Sequence, residues 1–172
     1  TPAIEARLVK ALGKMTQSEL DLLDDHILVL GYGDLTEAII QELGDKAPFL
    51  VVVPDSDVAR RLSERGVDTL TGDTSDEATL GRVHVEEARA VVAATNDDAA
   101  DALAILTVRH LAPEVHIVAA ATHRENVDKL RRAGADTVIS PASIGGHLLV
   151  ESALGGQDVD TEAVADRLLD EI

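Results

Sequence analysis

A short apolar run, His26-Ile-Leu-Val-Leu30, stops at Gly31-Tyr-Gly33, and a helical pattern carrying Ala38, Ile39 and Leu43 starts at once. A second apolar run, Phe49–Val53, follows and ends in an acid, Asp55. This order is the layout of a mononucleotide-binding βαβ unit. The first glycine makes a tight turn, and the second lets backbone approach a phosphate. The helix N-terminus then faces the anion, and the acid follows on the second strand. Two residues depart from the pattern. Thr36 stands at the third glycine, and Asp34 puts a negative charge where a pyrophosphate would sit.

The same alternation continues to the end of the chain. Six β-type runs are predicted at His26–Leu30, Phe49–Val53, Asp68–Thr71, Ala90–Ala94, His116–Ala120 and Thr137–Ile139. They are near-continuously apolar, as expected when helices cover both faces of a parallel sheet. Helices are predicted at 35–44, 57–65, 76–83, 98–111 and 124–133. Thr74-Ser-Asp-Glu77 and Thr122-His-Arg-Glu125 read as capping boxes, and Ser56 as a cap. Gly44, Gly66, Gly134 and Pro113 read as stops. Right-handed crossovers then give an α/β, doubly wound, Rossmann-like parallel sheet of order 3-2-1-4-5-6. Its crevice lies where the order reverses, between Gly31–Gly33 and Thr95-Asn-Asp-Asp98. Asp55 and Gly72-Asp73 end the second and third strands.

At 172 residues the chain suits one domain with a real core. It has no cysteine, so neither disulfides nor thiolate metal sites arise. Tyr32 and Phe49 are the only aromatics, which leaves the core to Val, Leu, Ile and Ala. No apolar run approaches the roughly 20 residues of a membrane span, and no signal peptide is visible. The first residue is Thr rather than Met, as expected of a piece of something longer. The net charge is -17. That balance fits an acidic binding surface or, better, adaptation to high salt, where screening keeps a highly charged surface soluble. Nucleic acid is excluded as a partner, because no basic face is left to meet phosphates.

Two segments lie outside the sheet unit. Residues 1–25 read as a helix followed by a turn, with Ile4, Leu8, Leu12 and Met15 on one stripe and Arg7, Lys10 and Lys14 on another. After the sixth strand, Ile144–Leu154 reads as a helix broken by Gly155-Gly156. Thr161–Ile172 reads as a last helix with Val164, Leu168 and Leu169 on one face. It is either an arm for a partner or a helix folded back on its own domain.

Gly72-Asp-Thr-Ser-Asp-Glu-Ala-Thr-Leu80, Glu87-Ala-Arg-Ala-Val-Val92, Thr95-Asn-Asp-Asp98 and Gly134-Ala-Asp-Thr-Val-Ile-Ser-Pro141 follow the glycine turn in order. As a set, these motifs resemble the RCK (KTN, Trk-type N-terminal) domain, with a haloarchaeal-like charge balance. The likeness spans residues 26–154, with a linker before it and a helical arm, 155–172, after it. The resemblance implies a cytoplasmic regulatory domain at the inner face of the membrane. That domain would gate a potassium channel or a potassium-uptake transporter. It implies homo-oligomers, from dimers to octameric rings, and a membrane-embedded pore or transporter subunit as partner. It implies control by an adenine nucleotide (NAD, AMP, ADP or ATP) or, in some members, calcium. By position, Gly31, Gly33 and Leu35 would line the phosphates, with Asp34 and Thr36 in the same turn. Asp55 would take the ribose hydroxyls, Asp73 and Thr74 would lie near the base, and Thr95 and Asn96 would close the far side.

Nucleotide-binding members often carry Arg at Asp34, Gly at Thr36 and Arg at Ala120. An anion about 4–6 Å from a phosphate in a partly dry crevice costs on the order of 1–3 kcal/mol. About 18 residues follow Leu154, too few for the smaller C-terminal lobe common in the family. Two rival readings follow: an oligomerisation scaffold with a degenerate crevice, and an NAD-dependent oxidoreductase. The enzyme needs a substrate domain, for which the chain has no length, so a non-enzyme is expected. Asp97, Asp98 and Asp101 could hold a hard cation, but acids also favour a helix start. The six histidines show no ligand-type spacing, and Ser143 has no paired base. No metal site or catalytic residue is expected.

Overall fold

The computed structural model describes residues 4, 15–155 and 160–170. Six strands form one parallel sheet: β1 (Ile27–Leu30), β2 (Phe49–Val53), β3 (Thr69–Thr71), β4 (Ala90–Ala93), β5 (His116–Ala120) and β6 (Thr137–Ile139). Their order is β3-β2-β1-β4-β5-β6, as predicted. Register aligns Val29 with Val51 on one side of β1 and with Val92 on the other.

Side chains on a strand alternate between faces, so each apolar run feeds two cores. On one face Leu28, Leu30, Leu50, Val52 and Leu70 pack with Leu80, Ile105 and Leu130. On the other, Val29, Val51 and Val53 pack with Ile40, Ala59 and Leu62. Phe49 is half-buried at the edge of the second core, and every fully buried large side chain but His26 is aliphatic. His26 is a core residue whose Nε2 donates to the Val83 carbonyl at 2.8 Å.

The helices are α1 (Gln17–Leu20), α2 (Thr36–Leu43), α3 (Ser56–Glu64), α4 (Glu77–Arg82), α5 (Asp98–Leu111), α6 (Val127–Ala133), α7 (Pro141–Gly155) and α8 (Thr161–Asp170). The starts differ from the sequence reading. Asp55, not Ser56, caps α3, because its Oδ1 reaches the amides of Asp57 and Val58. Asp76 caps α4 in place of the Thr74 capping box. The segment before α6 is a 3₁₀ turn, Arg124–Asn126, with no side-chain cap, so the Thr122 box does not form either. Helix α7 begins at Pro141 rather than Ile144. Proline suits a first helical turn, where its missing N–H has no partner to lose.

Met15 and Leu20 join the first core, so the end of the predicted linker segment is docked on the sheet unit. Most of the predicted 1–25 helix lies outside the described residues. So do the side chains of Val164, Leu168 and Leu169 and the segment after Gly155. Helix α7 buries none of its residues, leaving Leu149 and Leu154 exposed, and α8 lies against it.

Candidate functional site

Strands β1 and β4 are neighbours, and their chains leave the sheet in opposite directions. That reversal opens a crevice beyond their carboxyl ends. The lip on the β1 side is the glycine turn. Gly31 has φ +86°, which a glycine adopts freely, and its N–H donates to the Val52 carbonyl at 2.7 Å. The lip on the β4 side is Ala94–Asp97. A Cβ on Gly33 would stand 2.6 Å from Asn96 Oδ1 and 2.9 Å from Thr95 Cα, so the second glycine lets the lips close on each other.

The lips are joined by hydrogen bonds. The Asp34 amide donates to Asn96 Oδ1 at 2.8 Å, and Asn96 Nδ2 donates to Asp34 Oδ2 at 2.9 Å. Within the turn, the Gly33 amide donates to Thr36 Oγ1 at 2.8 Å. Thr36 is buried at the start of α2, which fixes that hydroxyl under the loop.

Two buried acids hold the opposite rim. Asp101 accepts from the Thr95 hydroxyl at 2.7 Å and from its amide at 3.1 Å. Burial pushes its carboxyl up to about 6; the Thr95 bonds pull the other way, and the charges of Asp98 and Asp97 push further up. Asp98 accepts from the amides of Thr122 and His123 and from the Asn126 side chain, tying the loop after β5 to the start of α5. Burial raises its carboxyl too, but those bonds outweigh burial and leave it below the usual range. Asp97 caps α5 through the Ala100 amide. Asp98 and Asp101 thus anchor loops, and Asp97 caps a helix.

A cavity of about 180 Å³ lies between the lips, with Asp34, Leu35, Thr95 and Asn96 in its wall. The wall continues into residues the sequence reading did not single out for binding: Ala121, Thr122, Pro141 and Ala142. Pro141 closes the Gly134–Pro141 motif, and that was the one available signal. Gly31, Gly33 and Thr36 build the turn itself. Asp55, Asp73 and Thr74 lie at the ends of β2 and β3, away from this cavity. Asp55 uses Oδ1 for its cap, and a carboxylate keeps further acceptor sites beyond that. Asp73 Oδ1 accepts from the amide and hydroxyl of Ser75, which hold its carboxyl below the usual range. Tyr32 donates to Glu37 Oε1, and Glu37 in turn forks onto Arg65, both bonds at 2.8 Å. Among the described residues, no cation lines the cavity wall.

Residues 27–141 match the family model of the TrkA-N domain. The chain belongs to the TrkA-N family. Over 142 residues this TrkA-N chain is 30% identical to probable potassium channel protein 2 of Methanocaldococcus jannaschii. The match covers 80% of this chain and 41% of that protein, so the chain spans about two fifths of that relative. Among solved structures, the GsuK channel bound to NAD superposes with a TM-score of 0.68 at 31% identity. The superposition covers 74% of this chain and 24% of that one. GsuK bound to ADP gives a TM-score of 0.65 at 31% identity, covering 70% of this chain and 32% of that one. The TrkA-N match begins with the first residue of β1 and ends where α7 begins, so it takes in the whole sheet and both lips of the crevice. Among the described residues, no helix is long and apolar enough to cross a membrane.

Proposed function

We propose that this TrkA-N chain is the cytoplasmic ligand-sensing domain of a potassium channel or potassium-uptake transporter, and that its crevice takes an adenine nucleotide. The observation that carries the reading is the switch-point crevice itself. A glycine turn and a second loop meet at the one place where a doubly wound sheet leaves room for a dinucleotide. The family match and the NAD- and ADP-bound relatives support the ligand class. The turn Gly31–Thr36 would hold phosphates, Asp55 the ribose hydroxyls, and Asp73 and Thr74 the side toward the base. Residues 26–154 would form the sensing unit. The segment before it would lead to a membrane-embedded partner, and 155–172 would join copies of the chain into a homo-oligomer. Its role is regulation rather than catalysis.

Asp34 sets the expected ligand order. Asp34 lies in the crevice wall and is exposed, so its carboxylate repels a phosphate by about 1 kcal/mol. AMP or NAD is therefore expected to bind better than ATP. Asp34→Arg is expected to strengthen ATP most, because it removes an anion and supplies a phosphate partner. Calorimetric titration of AMP, NAD and ATP into both proteins at matched salt tests this. Tightest binding of ATP to the wild type, or no gain in the variant, would refute a phosphate-facing Asp34.

A second reading, an assembly scaffold with a degenerate crevice, is favoured by one specific observation. The cavity is about 180 Å³, below the roughly 300–1,000 Å³ of ordinary ligand pockets. Absence of binding by all three nucleotides at millimolar concentration would put the scaffold first.

A further inference from the structure

We propose that Thr16–Asp25 is a catch: a segment docked on the sheet unit in an arrangement that carries unrelieved local costs, so that it undocks as one piece while the sheet stays folded. The inference does not depend on what the crevice binds. Under the proposed function this segment stands between the sensing unit and the membrane-embedded partner, so the catch is the joint at which the two would engage or part.

Four irregularities meet at this joint. Among the described residues, only two that are not glycine have a left-handed backbone, Asp25 at φ +52° and His84 at φ +54°. That conformation crowds the Cβ against the backbone and costs free energy in any residue but glycine. Again among the described residues, only two buried side-chain nitrogen or oxygen atoms have no hydrogen-bond partner, Glu19 Oε2 and His26 Nδ1. A buried polar atom left unpaired keeps its desolvation penalty. Three of these four residues lie within 19–26. The fourth touches the segment directly, because His84 Nε2 donates to Asp21 Oδ1 at 2.8 Å.

The polar contacts that hold the segment all come from residues 82–89, between α4 and β4. Arg82 Nε donates to Gln17 Oε1, and Gln17 Nε2 donates to the Arg82 carbonyl. Arg89 forks onto the Asp25 carboxylate at 2.8 and 3.2 Å, and the Asp25 amide donates to the Glu87 carbonyl at 3.0 Å. The Asp25–Arg89 pair is exposed, where ion pairs hold weakly. The firmer hold is apolar: Leu20 is fully buried and Met15 nearly so. Undocking forfeits the burial of these two side chains and a few hydrogen bonds. In return the unpaired atoms gain access to water, and both left-handed residues relax. No strand pairing breaks, because the segment ends before β1. A segment held by few buried contacts opens well below the free energy of global unfolding.

Native-state hydrogen exchange, followed by NMR on the whole chain in molar salt, tests this. The amides of Leu20, Leu23 and Asp25 report on the segment, since each donates to a carbonyl within it or across the joint. Those of Gly31 and Val51 report on the sheet. The three segment amides are expected to share one opening equilibrium, roughly 100-fold or more easier than that of the sheet amides. Glu19→Ala removes the unpaired oxygen at a position alanine suits, and is expected to slow all three by about 5-fold. Arg89→Ala removes the fork on Asp25 and is expected to quicken all three by about 3-fold. The gap between segment and sheet amides should stay fixed in both variants, since undocking precedes unfolding in each. Segment amides as protected as Gly31 and Val51 overturn the inference. So does unchanged or faster exchange in Glu19→Ala, and so do segment amides that respond to the variants independently of one another. None of these outcomes touches nucleotide binding, which the titrations above decide.

Discussion

Replacing Asp101 by Asn should stabilise this protein, by an amount that depends on pH. Asp101 is 2% exposed, and its carboxyl is raised from the ordinary 3.8 to about 6. Below about pH 4 the carboxyl is protonated in folded and unfolded chains alike, and burial costs little. As the pH rises, the unfolded chain ionises first, and the folded state loses ground until its own carboxyl ionises near 6. Above that the loss is constant. A shift of about two pH units corresponds to about 3 kcal/mol at pH 7 and roughly half of that at pH 5. Asparagine can keep the contacts. Its Oδ1 can accept from the Thr95 amide and its Nδ2 can donate to the Thr95 hydroxyl. That hydroxyl can turn its own proton to the Asp97 carbonyl, 3.2 Å away. Urea unfolding of wild type and Asp101→Asn, followed by circular dichroism at pH 5 and pH 7.5 in molar salt, isolates the effect. Any fixed cost of the amide cancels between the two pH values. The advantage of the variant should grow by about 1 kcal/mol or more from the lower pH to the higher. An advantage that is flat with pH, or that shrinks as pH rises, would refute the assignment of a buried, costly charge at this position.

Three further outcomes are expected. Gly33→Ala should cost about 1–3 kcal/mol in a thermal melt, because the new Cβ meets backbone atoms of Thr95 and Asn96 at 2.9 and 3.0 Å. With a net charge of -17, the melting temperature should fall on going from 2 M to 0.1 M salt. The Debye length grows from about 3 Å at 1 M to about 10 Å at 0.1 M, and like charges then feel one another; an unchanged or higher value in dilute salt would remove the high-salt reading. Light scattering in molar salt should give at least a dimer, since Leu149, Val150 and Leu154 on α7 are exposed, and a monomeric mass would count against assembly.

The sheet was legible because its physics is local and repetitive. Leu28 and Leu30 go to one face and Val29 to the other, so a run that is apolar at every position announces a strand covered on both sides. The glycine turn was equally plain, since few residues tolerate the φ of Gly31. What escaped was the choice among neighbouring capping residues. Asp55 and Ser56, or Thr74 and Asp76, are all good caps, and one or two residues of phase decide between them. The crevice was legible as a place but not as an arrangement. Asn96 meets Asp34 across 62 positions of sequence, a contact that no spacing rule reports. Asp98 and Asp101 looked like ordinary acids of a helix start, and only the return of the loop after β5 and the fold of Thr95 reveal them as anchors. Thr36 was visible as a departure from the glycine pattern, whereas the use of its hydroxyl depends on the turn being built.

The tyrosine in the glycine turn makes this protein its own optical probe. Tyr32 is the only tyrosine and there is no tryptophan, so ultraviolet emission excited near 280 nm comes from one ring on the lip of the crevice. Its hydroxyl rests on the Glu37 carboxylate at 2.8 Å, and a carboxylate in that position quenches tyrosine emission by accepting the proton in the excited state. Any event that lifts the turn from α2 should therefore brighten the protein without a dye or a label. The motion of one loop can be followed in stopped flow on the unmodified chain.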